Sequence, residues 1–88
     1  MEETHTGQLL HIHSASKQTL WIHFALKSTQ IHGQSRLEII CKTTESPSAS
    51  SFLRKSRVGD IIEVKGYIEH SATKTLIHPN ECRLVSHS

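Results

Sequence analysis

Val58-Gly59-Asp60-Ile61-Ile62-Glu63-Val64-Lys65-Gly66-Tyr67-Ile68 is a turn that runs into an alternation of period two. Ile62, Val64, Gly66 and Ile68 fall on one side, and Ile61, Glu63, Lys65, Tyr67 and Glu69 on the other. Side chains of a strand point alternately to opposite faces, so the pattern predicts a strand with one face in a core. Gly66 inside it predicts a bulge or a sharp bend, the device by which a small sheet curls towards closure.

The same period appears on both sides of this stretch. Leu20, Ile22, Phe24 and Leu26 alternate with Trp21, His23, Ala25 and Lys27, the clearest strand in the chain. Leu37, Ile39 and Cys41 alternate with Arg36, Glu38, Ile40 and Lys42, a strand with a charged outer face. Gly7 to His13 predicts a further strand, with Leu10 and Ile12 on one side and Leu9, His11 and His13 on the other. The last strand is expected over Lys74 to His78 and again over Cys82 to Val85, interrupted at Pro79-Asn80 because proline cannot donate to a ladder. Between the third and fourth strands, Ser46-Pro47-Ser48-Ala49-Ser50-Ser51 reads as a turn with helix-start signals, and Phe52 to Ser56 as a turn or two of helix.

Strand, strand, strand, short helix, strand, strand in 88 residues is the plan of the OB-fold. The expected fold is therefore all-β: a five-stranded, partly open Greek-key barrel with a short helix between strands 3 and 4. An SH3-like barrel is the rival, and it normally lacks that helix. The length allows one domain, residues 1–88, with 1–6 expected as a flexible amino-terminal tail. Hydrophobic residues make up 35% of the chain and charged residues 20%, which predicts a thin core and favours self-association. The formal net charge of +2 permits a polyanion ligand without demanding one. No apolar stretch approaches a membrane span and no secretory signal opens the chain, so a soluble cytoplasmic protein is expected. Cys41 and Cys82 lack CxxC spacing and lie in apolar runs, which predicts buried free thiols.

Val58 to Ile68, with its Val-Gly-Asp turn and its Gly-aromatic-Ile ending, resembles the fourth strand of the bacterial single-stranded-DNA-binding protein family. Thr73-Lys74-Thr75-Leu76-Ile77-His78-Pro79-Asn80-Glu81-Cys82-Arg83-Leu84-Val85 resembles that family's closing strand and is closer still to the primosomal replication protein N family. Trp21 to Lys27 is similar to the second strand of the latter. A comparable Gly-Asp-Ile strand and Leu-Ile-His…Arg-Leu ending also occurs in the anticodon-binding OB domains of class II aminoacyl-tRNA synthetases. No acidic partner-recruiting tail follows Val85, so the resemblance favours the primosomal branch. It implies a homodimer that binds single-stranded DNA during primosome assembly or replication restart, with replication or helicase-loading proteins as further partners.

A single-strand binder needs cations for phosphates and flat side chains for bases. OB-folds put these on the face of strands two and three and on the loops joining strands one to two and four to five. The candidate nucleic-acid-binding residues are Lys17, Trp21, His23, Lys27, Arg36, Lys42, Lys65, Tyr67 and Lys74. Trp21, the only tryptophan, lies on the polar side of its strand, where it serves either as a stacking platform or as a contact under a loop or at a dimer interface. Arg54, Lys55 and Arg57 form a second basic cluster near the helix, open equally to a partner protein. RNA is a possible ligand as well as DNA, and an assembly subunit that binds protein through the Trp21 face is an alternative reading.

Eight histidines invite a metal hypothesis, since His11 and His13 project the same way and His23 could neighbour them. The chain has no Cys/His cluster of the usual spacing, so neither metal nor cofactor is expected. The imidazoles gain charge as pH falls, which should strengthen polyanion binding. No nucleophile has an evident base, no glycine-rich phosphate loop is present, and no carboxylate pair suggests acid–base work. No enzyme activity is expected.

Overall fold

In the computed structural model, residues 2–26, 36–71 and 73–87 are described. The elements run β1 (Glu2–Ser14), β2 (Thr19–Leu26), β3 (Arg36–Lys42), α1 (Pro47–Lys55), β4 (Ile61–His70) and β5 (Thr75–Ser86). The strands close into one barrel in the order β1-β2-β3-β5-β4, with β4 returning to β1. All pairings are antiparallel except β3 with β5. This is the five-stranded Greek-key barrel expected of an OB-fold, and the helix between β3 and β4 sets it apart from the SH3-like plan.

Closure explains the length of β1. Its first half pairs with β4 from Glu2↔Tyr67 to Gln8↔Ile61, and its second half pairs with β2 from Gly7↔Leu26 to Ser14↔Leu20. Residues 2–6, expected as a tail, are therefore strand. Without them β4 would present an open edge of unpaired amides and carbonyls. Gly7 belongs to both pairings, and a Cβ there would run into the Ala25 carbonyl and come within 2.8 Å of Phe24 Cζ. The register slips between Leu9 and His11, so Leu10 is the extra residue. That bulge reverses part of the expected parity: Leu9 is fully buried, while His11 and His13 stay outside.

The inward positions of β2, β3 and β4 fill the barrel as their alternation predicts, with Leu20, Ile22, Phe24, Leu37, Ile39, Ile62 and Val64 in one cluster joined by Leu9 and Ile77. Ala49 and Leu53 of α1 close one end, and Phe52 packs beside them partly exposed. The helix begins earlier than the sequence suggests, because the serine-rich stretch is itself helical. Pro47 occupies the first turn, where its missing N–H costs nothing, and the Ser50 amide donates to the Ser46 carbonyl at 2.9 Å. Ser46 does not cap with its side chain. Its hydroxyl donates instead to the Pro79 carbonyl at 2.6 Å, tying the helix start to β5.

β5 also differs from expectation, since it runs unbroken through Pro79-Asn80. Gly66 faces Pro79 while Lys65 faces Glu81, so Asn80 is the extra residue of a bulge. The bulge thus lies opposite Gly66 on β5, rather than at Gly66 on β4 where it was expected, and it takes up the interruption expected at Pro79.

Cys41 is buried and Cys82 half-buried, and both thiols are free. Burial is the leading cause that pushes the Cys41 thiol up from its ordinary value. Burial first, and the neighbouring Cys41 second, push Cys82 from 9.0 up to about 12. A thiol with a raised folded-state pKa keeps its proton when the unfolded chain has lost it. The linked stabilisation is complete below about pH 9 and is lost between about pH 9 and about pH 12. Alkylation of the native protein at pH 8 is expected to be far slower than in urea, with equal rates in the two states as the contrary result. Among the described residues no helix is long and apolar enough to cross a membrane.

Candidate functional site

The outer face of the β1–β2–β3 strip gathers its side chains by register. His11 stands opposite His23, and His13 opposite Trp21. Across the next ladder Trp21 is opposite Ile40 and His23 opposite Glu38. The His11 and His23 rings lie 5.8 Å apart at 62°, and the His11 and His13 rings 6.4 Å apart at 13°. From the β4–β5 turn Lys74 reaches over the Trp21 indole, with Nζ 4.9 Å from the ring centroid, a cation–π contact. These five side chains and Ala15, from the β1–β2 turn, line an open recess of about 400 Å³.

Beneath Lys74 sits Glu38, half-buried on β3. Lys74 Nζ stands 3.0 Å from Glu38 Oε2, and His23 Nε2 3.9 Å from Oε1. Oε2 is shielded from water and the ammonium is off the angle of a hydrogen bond, so charge alone holds that oxygen. Lys74 is therefore positioned twice, by the indole face and by the carboxylate.

The sequence-derived candidates do not form one surface. Trp21, His23 and Lys74 meet in the recess. Lys42 and Tyr67 line a neighbouring groove that includes Ile40 and His78, and Tyr67 is 54% exposed. Lys65 lies elsewhere, in a cleft beside Ser48 and Ala49 of the helix, because residue 65 pairs with Thr4 of β1 rather than with β2 or β3. Arg36 opens β3 opposite Ala25, and Lys17 is exposed in the β1–β2 turn. Lys27 lies outside the described residues.

Charge is compensated more thoroughly than side-chain parity suggests. Lys42 pairs with Glu45 at 3.8 Å, Lys65 with Glu2 at 3.7 Å, and Lys74 with Glu38. The Lys42 and Lys65 pairs are exposed and contribute about 0–1 kcal/mol each, so phosphates can displace them, whereas the Lys74 pair includes a carboxylate oxygen shielded from water; with all three in place the resting face is close to neutral. His11, His13 and Ala15 are the lining residues absent from the sequence-derived set. The outward parity of the two histidines was legible, and the register that brings them to Trp21 was not. Among the described residues no three His, Cys, Asp or Glu groups are placed to hold a metal ion.

Neither the models of known protein families nor the curated proteins match this chain, so its function is read from its own residues and geometry.

Proposed function

We propose that this chain is a non-catalytic OB-fold protein that binds single-stranded DNA through the Trp21 recess, in primosome assembly or replication restart. The observation that carries the reading is the recess itself. An indole and three imidazoles surround an open volume of about 400 Å³ on the outside of a closed barrel, between the β1–β2 turn and Lys74 of the β4–β5 turn. Exposed bases stack on such rings, and aromatic stacking contributes about 1–3 kcal/mol per base by alanine substitution. Lys74 is half-exposed and its ammonium has three donors, so it can meet a phosphate while staying beside Glu38. The resemblance of Val58 to Ile68 to the single-stranded-DNA-binding family, and of Thr73 to Val85 and Trp21 to Lys27 to the primosomal family, supplies the biological setting. The proposed protein is cytoplasmic, in keeping with two free thiols. It is also homodimeric, with Val58, Leu84 and Val85 as exposed apolar surface for a second copy to cover.

Titration with a fluorescently silent oligonucleotide is expected to quench Trp21 emission, with an affinity that falls as salt rises. Absence of binding at low ionic strength overturns the reading. A matched RNA oligonucleotide that binds more tightly moves the function to RNA, since a site using the 2′-hydroxyl prefers it.

A second reading is favoured by one observation, the near-neutral resting face. An assembly subunit would use the same recess against a protein, and Trp21→Ala would then break the complex in size-exclusion chromatography while leaving nucleic-acid affinity unchanged.

A further inference from the structure

Most of the uncompensated cations among the described residues of this protein lie in one region. Lys42, Lys65, Lys74 and Arg83 each have a carboxylate within 4 Å. Among the described residues Lys17, Arg36, Arg54, Lys55 and Arg57 have none, and all but Arg36, which opens β3 opposite Ala25, lie in the β1–β2 turn, in the last turn of α1 or just beyond it. Arg54 and Lys55 occupy the last turn of α1. The carbonyl end of a helix favours cations, which accounts for their presence there but not for the lack of acidic neighbours.

Hydrogen bonds join this cluster to the recess. Arg54 Nη2 donates to the Lys17 carbonyl at 2.6 Å, and Arg54 Nε donates to Ser50 Oγ at 3.3 Å. The buried Ser50 hydroxyl meets Thr43 Oγ1 at 2.9 Å, and the Thr43 amide donates to the Gln18 carbonyl at 2.8 Å. The β1–β2 turn is thereby held against the helix. Two residues before Lys17 in that turn, Ala15 lines the Trp21 recess. One rigid turn has the recess on one flank and uncompensated cations on the other.

We infer that Lys17, Arg54 and Lys55 form a second phosphate-binding surface, over which a single strand seated in the recess continues across the β1–β2 turn to the end of α1. The inference rests on the proposed single-strand binding and adds its path. A polyanion follows positive potential, and a phosphate placed on Lys42 or Lys65 must first displace a carboxylate that stays nearby and repels it. A phosphate placed on Lys17 or Lys55 displaces only water and counterions. The strand is therefore directed towards the helix end and away from the Tyr67 groove and the Lys65 cleft.

Oligothymidylates of about 4 and about 12 nucleotides, spanning much of the range of site sizes for one OB-fold, separate recess from path. Lys17→Gln combined with Lys55→Gln leaves intact every hydrogen bond named above, since none uses either side-chain amine. The double variant is expected to weaken the long oligonucleotide roughly tenfold at low salt and to lower its salt slope by about 1.4, at about 0.7 per phosphate contact on a single strand. Affinity for the short oligonucleotide is expected to stay within about twofold, and Lys42→Gln with Lys65→Gln to change both lengths little by comparison. Equal weakening of both lengths, or none of the long one, overturns the path while leaving recess binding in place. Failure of the unaltered protein to bind either length overturns both. Direct binding of an acidic peptide that is lost in the double variant, while the long oligonucleotide keeps its affinity, assigns the cluster to a protein partner and overturns the inference.

Discussion

Gly66→Ala is expected to destabilise the barrel by about 3 kcal/mol or more, at the upper end of what overpacking costs. A Cβ at residue 66 would land on the His78 carbonyl oxygen and stand 2.8 Å from both the His78 carbonyl carbon and the Pro79 Cα. All three are backbone atoms, so no rotamer change relieves the overlap. Backbone movement is costly as well, because β4 is paired on both sides, with β1 and with β5. Shifting it breaks either the closing ladder or the bulge at Asn80. A domain of 88 residues has roughly 4–13 kcal/mol of total stability, so the variant should be partly unfolded at ambient temperature or lose a large part of its urea midpoint. Equilibrium urea unfolding of the two proteins measures this. A loss below about 1 kcal/mol would show that β4 and β5 do not approach so closely at the bulge.

Trp21→Ala is expected to weaken oligonucleotide binding by roughly 10- to 100-fold, the equivalent of about 1–3 kcal/mol for one lost stacking platform. Salt separates this loss from a loss of charge. No phosphate contact belongs to the indole, so the dependence of affinity on salt should keep its slope. Lys74→Gln should behave in the opposite way, lowering the slope by about 0.7 and leaving stacking available. The change at Trp21 also frees Lys74 from its cation–π contact, with Glu38 at 3.0 Å to retain it. Affinity unchanged in Trp21→Ala, with the elution volume shifted to a smaller species, would instead assign the recess to an assembly contact.

Much of the barrel was legible because strand parity is a local property. Leu20, Ile22, Phe24, Leu37, Ile39, Ile62 and Val64 are inward residues that neighbouring positions alone identify, and Trp21 and His23 are outward by the same rule. The helix was placed correctly between β3 and β4, but its start at Pro47 was obscured. Serine-rich segments suit turns as readily as helices, and here the part-buried side-chain hydrogen bonds of Ser46 and Ser50 decide the matter. Residues 2–6 look like a polar tail until the unpaired edge of β4 is taken into account.

The candidate site was half legible for the same reason. Parity put Lys42 and Lys65 on the outside, and the loop position did the same for Lys74, without showing that each would meet a glutamate, since Glu2 and Lys65 are far apart in the chain and adjacent only across the β1–β4 ladder. The join between Lys17 and Arg54 is of the same kind, a contact across 37 positions of sequence. By itself the sequence determined the inward faces of β2, β3 and β4 and the order of the elements along the chain, because alternation acts over a few residues. Only the tertiary structure decided that His11, His13, Trp21 and Lys74 share one recess and that Lys17 joins the cations at the end of the helix, because register, barrel closure and charge pairing depend on distances between segments remote in sequence.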